Sequence, residues 1–482
     1  MAPLPPSTPA SRIPGTIREL ASAYVEGSVS PATATKEFLR RIDALSGRLN
    51  AFITVLGDLA LKQAEESERR FRAGTPLGPL DGIPIAVKDL IYIQGVRCTA
   101  GSKILAENVA TYDAAVIRKL KAAGAVLIGT TNLHEFAAGT TNINPHFGSV
   151  KNPWDVSRIS GGSSGGSAVA VATGMAPGAL GTDTGGSVRI PAGLCGVLGL
   201  KPTYGRVSRL GVIPLSASLD VVGVLGRTAW DTAALFQGIS GHDVGDITTV
   251  EGEGADFIDA LYRPFAPARI GVIGGYFQES IDPAVEGNLS GFVSRLEELG
   301  CSASRVTPDW ISEAYEKWVP IRRAEATAFH MKWLQTTPQL YGRDVFQLLE
   351  QGKDVLAVDY VAAVNARPSL IERFTETMGD YDFLVIPTTT IPPPRLEENE
   401  VRVKGRSMPV YSALNRLPIP FNYIGCPAIS VPSGQVGGLP LGVQVVGRLF
   451  DEASLLRLAA AYEEKFGPYP RPPLGEWGPG RV

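Results

Sequence analysis

The sequence predicts an α/β fold, in which helices alternate with short buried strands. A helical pattern over 113–123 is followed directly by the apolar run 125–129. Short apolar runs of this kind are typical of strands inside a parallel sheet, and helix–strand alternation indicates an α/β protein. Hydrophobic residues make up 44% of the 482 residues, which is enough to bury a large core.

The N-terminal part begins with a proline-rich stretch, residues 1–15, which we expect to be a mobile tail. Residues 16–75 are predicted to form helices. Ser30 and Pro31 supply a cap and a first-turn proline for one of them, and a second helix runs from about 58 to Gly74. The pattern then changes to a turn and a short apolar strand over 81–89, which contains Lys88 near its end.

The remaining chain continues the alternation. Residues 132–157 are loop-rich, and residues 309–375 are mostly helical and rich in aromatic residues, which more often pack than line a pocket. Further strands are predicted within 212–226 and at 269–273, 382–387, 428–432 and 441–447, and further helices at 230–239, 282–299 and 451–466. Because no internal repeat and no long linker divides the chain, we expect a single domain over 1–482.

Composition excludes several functional classes. The net charge of −3 comes without a dense basic patch, so we expect no nucleic-acid partner. No run of 18 uncharged apolar residues and no secretory signal is found, so we expect no membrane span. The four cysteines are scattered without metal or disulfide spacing, which favours a reduced, cytoplasmic setting.

Two glycine–serine clusters, at 161–167 and 181–187, are the densest chemical signal. Glycine allows backbone N–H groups to approach a ligand, and serine supplies hydroxyls that a base can activate. A flexible linker would not continue into the apolar run that follows the first cluster. A phosphate-binding loop would need a closing Gly-Lys-Ser/Thr, which is missing.

Other catalytic motifs fit poorly. Residues 161–165 match G-x-S-x-G, but that motif needs a preceding strand and a late histidine, and the four histidines lie no later than position 330. Asp183-Thr184-Gly185 matches an aspartic-protease motif without the required second copy. His134 and Glu135 do not extend into a zinc motif. A serine hydrolase with a lysine base therefore remains.

Lys88 is a plausible base, although a solvated charge at a strand end is the simplest interpretation of this residue alone. A free lysine has a pKa near ~10.4. It must be desolvated to act as a base at neutral pH.

Taken together, the motifs strongly resemble the amidase signature family. The resemblance is dense over 80–230 and returns more loosely at 382–387 and 422–434. It is carried by the segments 82–89, 131–137, 161–167, 181–191 and 196–203.

This resemblance implies an amidase signature fold, with a central mixed β-sheet flanked on both faces by helices. It implies a catalytic triad in which Lys88 is the neutral base, Ser163 the bridging serine, held by a cis peptide after Gly162, and Ser187 the nucleophile. The backbone N–H groups that would receive the oxyanion are those of Thr184, Gly185, Gly186 and Ser187.

The resemblance also implies supporting residues. Ser164, Asp183 and Arg189 would order the two loops by hydrogen bonds and charge. The helical region 309–375 would lie over the substrate pocket, whose wall would include Ala137, Gly139, Thr140, Asn415 and Arg416. Neither a metal nor a cofactor is expected.

Within the family, we expect a free-standing amidohydrolase that cleaves a small apolar or aryl amide through a seryl acyl-enzyme, with a homodimer left open. The main alternative is the A subunit of glutamyl-tRNA amidotransferase, which releases ammonia from glutamine for a partner protein. There, an acid pairs with the glutamine amino group, whereas the equivalent position here is Asn415. The paired arginines of that protein are also missing near Gln347, and His134 stands where it commonly has an aspartate. Arg416, together with residues 420–422, resembles the corresponding segment of the stand-alone amidases.

A carbamate or ester hydrolase would use the same acyl-transfer chemistry and stays open. A binding protein on an inactive amidase scaffold is disfavoured, because all three triad positions are intact.

Overall fold

The computed structural model describes residues 13–252 and 255–474. The predicted tail at 1–15 therefore falls almost entirely outside the described residues. The helices are α1 (Ile17–Glu26), α2 (Pro31–Leu49), α3 (Gly57–Arg72), α4 (Ala115–Ala122), α5 (Gly165–Ala172), α6 (Arg189–Cys195), α7 (Ala229–Gln237), α8 (Phe257–Ala260), α9 (Pro283–Glu298), α10 (Trp310–Thr336), α11 (Arg343–Glu350), α12 (Ala357–Asn365), α13 (Arg367–Asp380), α14 (Val410–Asn415), α15 (Ile419–Ile424) and α16 (Glu452–Phe466).

The strands form one large sheet and a separate hairpin. They are β1 (Phe52–Val55), β2 (Pro84–Lys88), β3 (Val126–Thr131), β4 (Gly178–Asp183), β5 (Leu198–Lys201), β6 (Val221–Gly226), β7 (Arg269–Ile273), β8 (Ser302–Val306), β9 (Phe383–Pro387), β10 (Glu400–Val403), β11 (Arg406–Pro409), β12 (Ala428–Val436) and β13 (Leu439–Val446).

The large sheet is mixed and has eleven strands in the order β1-β3-β2-β4-β6-β5-β12-β13-β9-β7-β8. β2 pairs in parallel with both β3 and β4. The strands from β4 through β6, β5, β12 and β13 to β9 are joined antiparallel, and β7 pairs in parallel with β8 and β9. The carboxyl ends of β2 and β4 therefore meet at one edge of the sheet, where both glycine–serine loops lie.

Apolar side chains pack on both faces of the sheet. Along β2, Ile85 and Val87 belong to one core cluster and Ala86 to another, as the two-residue period of a strand requires. The first cluster includes side chains of α1, α4, α7 and α16, and the second includes all of the apolar residues of α5. The predicted α/β architecture, a mixed sheet flanked by helices on both faces, is confirmed.

The glycine-rich strand β4 is the clearest element that the sequence did not predict. Its residues, GALGTD, include three small residues and no β-branched residue before Thr182, so its propensity for a strand is low. It is a strand because β2 and β6 pair with its two edges. The single-domain assignment for 1–482 stays a prediction.

Within the described ranges, no helix is both long enough and apolar enough to cross a membrane.

Candidate active site

Lys88, the last residue of β2, is completely buried. Its Nζ lies 2.7 Å from Ser163 Oγ and 2.8 Å from Thr182 Oγ1. Burial lowers the pKa of Lys88 to about 7, although the carboxylates of Asp220 and Asp183 oppose this by favouring the charged form. A substantial fraction of this amine is therefore neutral near pH 7 and able to accept a proton.

Ser163 lies in the first glycine loop, just before α5, and is completely buried. The peptide bond between Gly162 and Ser163 is cis. The carbonyl oxygen of Ser163 accepts a hydrogen bond from the His134 N–H at 3.2 Å. The next residue, Ser164, joins this loop to β4, because its Oγ donates to the Thr182 carbonyl and accepts from the Thr182 N–H, both at 3.2 Å.

Ser187 lies in the second glycine loop, between β4 and α6, and only 5% of its surface is exposed. Its carbonyl accepts a hydrogen bond from the Ser164 N–H at 3.1 Å, which joins the two loops. No hydrogen bond to Ser187 Oγ is found among the described residues. The structure thus brings Lys88 and Ser163 into contact, and the proton relay from Ser163 to Ser187 stays a prediction.

Asp183 organises the loop that carries Ser187. Its carboxylate accepts the N–H groups of Gly186 at 2.8 Å and Val188 at 3.1 Å, and it forms an ion pair with Arg189 at 2.9 Å. Burial by itself raises the pKa of Asp183, but the charge and hydrogen bonds of Arg189 outweigh it and hold this pKa below its usual range. Asp183 is therefore a fixed anion that tightens the turn.

Four backbone N–H groups of this loop are predicted to receive the oxyanion. That of Gly186 donates to Asp183, so its hydrogen is used within the loop. Those of Gly185 and Ser187 have no partner among the described residues. Gly185 also has no room for a side chain, because a Cβ there would come within 2.9 Å of the Trp318 ring.

A small cavity lies over Ser187. Its lining combines the second glycine loop, the segment 137–140 and α10 with three further residues, and consists of Ala137, Ala138, Gly139, Thr140, Thr184, Gly185, Ser187, Leu215, Trp318, Arg322, Tyr411 and Asn415. A larger pocket of about 680 Å³ extends towards α11. It shares six lining residues with the small cavity: Ala138, Gly139, Thr140, Trp318, Arg322 and Tyr411.

Four of the five predicted pocket residues line the small cavity: Ala137, Gly139, Thr140 and Asn415. The fifth does not line either cavity. Arg416 stacks on Phe277, with its guanidinium carbon 3.7 Å from the ring centre, and lies 5.6 Å from the ring centre of Tyr315. Its guanidinium packs on aromatic rings outside both cavities, and its role in the pocket stays a prediction.

Sequence reasoning missed four residues of the small cavity, two of which lie on α10: Leu215, Trp318, Arg322 and Tyr411. Trp318 and Arg322 are four residues apart, so they lie on one face of this helix, and both line the small cavity with Tyr411. The sequence feature that could have identified these two residues is an arginine one helical turn after a tryptophan. The sequence-based prediction that aromatic residues of this region mainly pack gave no reason to select them.

The fold and these contacts define an enzyme that acts on amides. A family model described as "Amidase" matches residues 33–456, and the chain belongs to this family. It is 38% identical to the A subunit of glutamyl-tRNA(Gln) amidotransferase from Synechococcus sp. (strain JA-3-3Ab), over 95% of this chain and 94% of that one.

Two solved structures are also similar. One, described as a vestigial protein complex that reveals the evolutionary origins of an s-triazine catabolic enzyme, has a TM-score of 0.90 at 33% identity, covering 95% of this chain and 99% of that one. The other, the A subunit of glutamyl-tRNA(Gln) amidotransferase from Thermotoga maritima, has a TM-score of 0.80 at 33% identity, covering 96% and 99%.

These relatives correct two predictions. A free-standing hydrolase of a small apolar or aryl amide, closer to the stand-alone amidases, was wrong, because relatives at 38% identity over nearly the whole chain are amidotransferase A subunits. The expectation of a reaction of small molecules alone, with no nucleic acid as a partner, was wrong for the same reason, since those relatives are named as subunits of a glutamyl-tRNA(Gln) amidotransferase. Net charge and a missing basic patch were poor guides, because the charge of one subunit does not describe the other subunits of its enzyme.

Proposed function

We propose that this chain is the ammonia-releasing A subunit of a glutamyl-tRNA(Gln) amidotransferase, and that it hydrolyses the side-chain amide of glutamine through an acyl-enzyme on Ser187. The observation that carries the chemistry is the buried contact of 2.7 Å between Lys88 Nζ and Ser163 Oγ. The identity to named A subunits over 95% of the chain supports the biological role.

The proposed reaction begins with neutral Lys88. It accepts the proton of Ser163, Ser163 takes the proton of Ser187, and the oxygen of Ser187 attacks the amide carbonyl carbon. The N–H groups of Gly185 and Ser187 would stabilise the resulting oxyanion, which is a strong effect in a site from which water is excluded.

Collapse of the tetrahedral intermediate breaks the C–N bond. The relay returns its proton to the leaving nitrogen, which departs as ammonia and leaves an ester between the acyl group and Ser187. Water then attacks this ester with Lys88 and Ser163 as the base, and releases the carboxylic acid and free Ser187. In the proposed assembly, a partner protein uses the ammonia on glutamyl-tRNA.

A first experiment tests the nucleophile. The purified chain is treated with a fluorophosphonate probe, and the labelled peptide is mapped by mass spectrometry. We expect the adduct on Ser187, with none in Ser187→Ala and with labelling retained in Ser290→Ala, an exposed serine on α9. An adduct elsewhere, or equal labelling of Ser187→Ala, would remove Ser187 from the mechanism.

A second experiment tests the role in an assembly. The chain is co-expressed with the remaining amidotransferase subunits of its source, and transfer of ¹⁵N from glutamine to glutamyl-tRNA is measured with wild type and Ser187→Ala. We expect ¹⁵N-labelled glutaminyl-tRNA only with wild type. Ammonia release without any association or transfer would show an amide hydrolase that is not part of an amidotransferase.

A further inference from the structure

Arg322 is the one charged side chain among the residues that line the small cavity over Ser187. It is 5% exposed, and its Nε and Nη1 are buried without a hydrogen-bond partner among the described residues. An arginine stays protonated in proteins, so a full positive charge faces the cavity with two buried donors unused. An uncompensated buried charge is costly, which points to an anion supplied by a ligand.

The guanidinium of Arg322 lies over the ring of Trp318, which is joined to the second glycine loop by a hydrogen bond. Its central carbon lies 5.2 Å from the ring centre of Trp318. The Trp318 Nε1–H donates to the Thr184 carbonyl at 2.9 Å, so the ring on which Arg322 stacks is tied to the loop that carries Ser187. The planar fork of an arginine matches a carboxylate, which it can bind with two parallel hydrogen bonds.

Neighbouring carboxylates do not neutralise this charge. In the larger pocket, Asp344 Oδ2 lies 2.9 Å from His134 Nε2, and Glu398 accepts the Arg395 N–H at 2.7 Å. No aspartate or glutamate is found among the residues that line the small cavity. An acidic side chain would be needed to pair with the amino group of glutamine. The cavity instead has Asn415, whose Oδ1 is buried without a partner among the described residues.

We propose that Arg322 is the carboxylate-binding residue of the amide site, so that the ammonia donor is selected by its carboxylate and not by its amino group. This inference rests on the proposed amide hydrolysis at Ser187 and deepens it by assigning the substrate class: ω-amides of dicarboxylic acids, among which glutamine is one member. An ω-amide without the amino group would then be as good a donor as glutamine.

The test uses four amides of matched length and measures ammonia release by the full chain. 4-Carbamoylbutanoate has the carboxylate alone, glutamine has both groups, 4-aminobutanamide has the amino group alone, and butanamide has neither. We expect kcat/KM for the two carboxylates to agree within about tenfold and to exceed the values for the other two by about 100-fold, as a charge-assisted pair provides. Equal turnover of butanamide and 4-carbamoylbutanoate would overturn the proposal.

Variants separate binding from packing. In Arg322→Met the ratio of kcat/KM for 4-carbamoylbutanoate to that for butanamide should fall from about 100 to near one, and Arg322→Lys should retain part of this ratio. The control is Arg263→Met, since Arg263 pairs on the surface with Asp259 and borders neither pocket, and it should leave the ratio unchanged. An equal loss on all four amides would show that Arg322 only supports the fold.

A binding measurement keeps the two proposals distinguishable. Glutarate is titrated calorimetrically into Ser187→Ala and into the double variant Ser187→Ala/Arg322→Met. This measurement of binding does not require turnover. We expect glutarate to bind Ser187→Ala, and to bind the double variant with an affinity at least tenfold lower. Equal affinities of the two variants for glutarate would refute the role of Arg322. A preference for carboxylate substrates without transfer of ammonia to glutamyl-tRNA would refute only the proposed role in an amidotransferase.

Discussion

The environment of Lys88 should set the pH dependence of the reaction. Because burial lowers the pKa of this amine to about 7, and because the base must be neutral, kcat/KM for glutamine should rise about tenfold per pH unit below 7 and level off above it. In Lys88→Arg the cation persists at every accessible pH, so no activity should appear up to pH 9. Initial rates between pH 5 and 9 measure the profiles of the wild type and of Lys88→Arg.

The exposed Lys103 offers a matched control, and Lys103→Arg should keep the wild-type profile. A wild-type profile that falls as pH rises through 7 would contradict a neutral lysine base.

The pair formed by Arg189 and Asp183 should be the most sensitive ion pair of the site. Both side chains are completely buried, so Arg189→Met leaves the anion of Asp183 without its partner, at an expected cost of about 3–5 kcal/mol in the free energy of unfolding. Urea denaturation at pH 7 measures this. Arg373, which pairs on the surface with Asp309 and Glu313, is the control. Arg373→Met should cost no more than about 1 kcal/mol, and equal losses would contradict the role of burial.

Two helical glycines should respond in opposite directions to alanine. In α5, a Cβ on Gly166 would come within 2.4 Å of the carbonyl oxygens of Ala51 and Asn132, which are backbone atoms. In α9, Gly287 has nothing within 4 Å of such a Cβ. We expect Gly166→Ala to destabilise the protein by at least about 3 kcal/mol through this clash.

Gly287→Ala should instead stabilise it by up to about 1 kcal/mol, since glycine is a poor helix former. Thermal unfolding followed by circular dichroism measures the two changes. A neutral Gly166→Ala would show that the start of α5 has room to shift, and the first glycine loop with it.

The packing of α1 and α16 on α7 should make the stability of the whole molecule depend on pH. Asp231 of α7 accepts the Arg18 N–H of α1, and Glu463 of α16 accepts the Ala229 N–H. Burial raises the pKa of each carboxyl to about 7. For Asp231, the negative charge of Glu463 adds to this increase.

An aspartate in the unfolded chain ionises near pH ~4, whereas the folded protein keeps Asp231 protonated until about pH 7. Between these values the folded state binds the extra proton, so the free energy of unfolding falls as pH rises. Asp231→Asn should therefore stabilise the protein at pH 8, by about 1–2 kcal/mol, and much less at pH 4.5. Urea titrations at both values measure this, and the exposed Asp380→Asn should show no such difference.

The alternation of helices with short apolar strands predicted an α/β architecture, because burial on both faces of a sheet demands continuous apolar runs. The strand that ends at Lys88 and the helices α4, α7 and α9 were visible in this way. β4 was not, because its glycines are required by close neighbours and not by strand propensity: a Cβ on Gly181 would lie 2.8 Å from Ser164 Oγ.

For the site, the amino-acid sequence by itself determined which residue types are available: two glycine–serine loops, a lysine at the end of an apolar strand, and an asparagine in place of an acid. Only the tertiary structure decided their environment. It buried Lys88 against Ser163, turned Arg416 onto Phe277, and placed Arg322 over Ser187. The physical reason is that a charge's solvation and partners depend on neighbours distant in sequence, which neither spacing nor composition records.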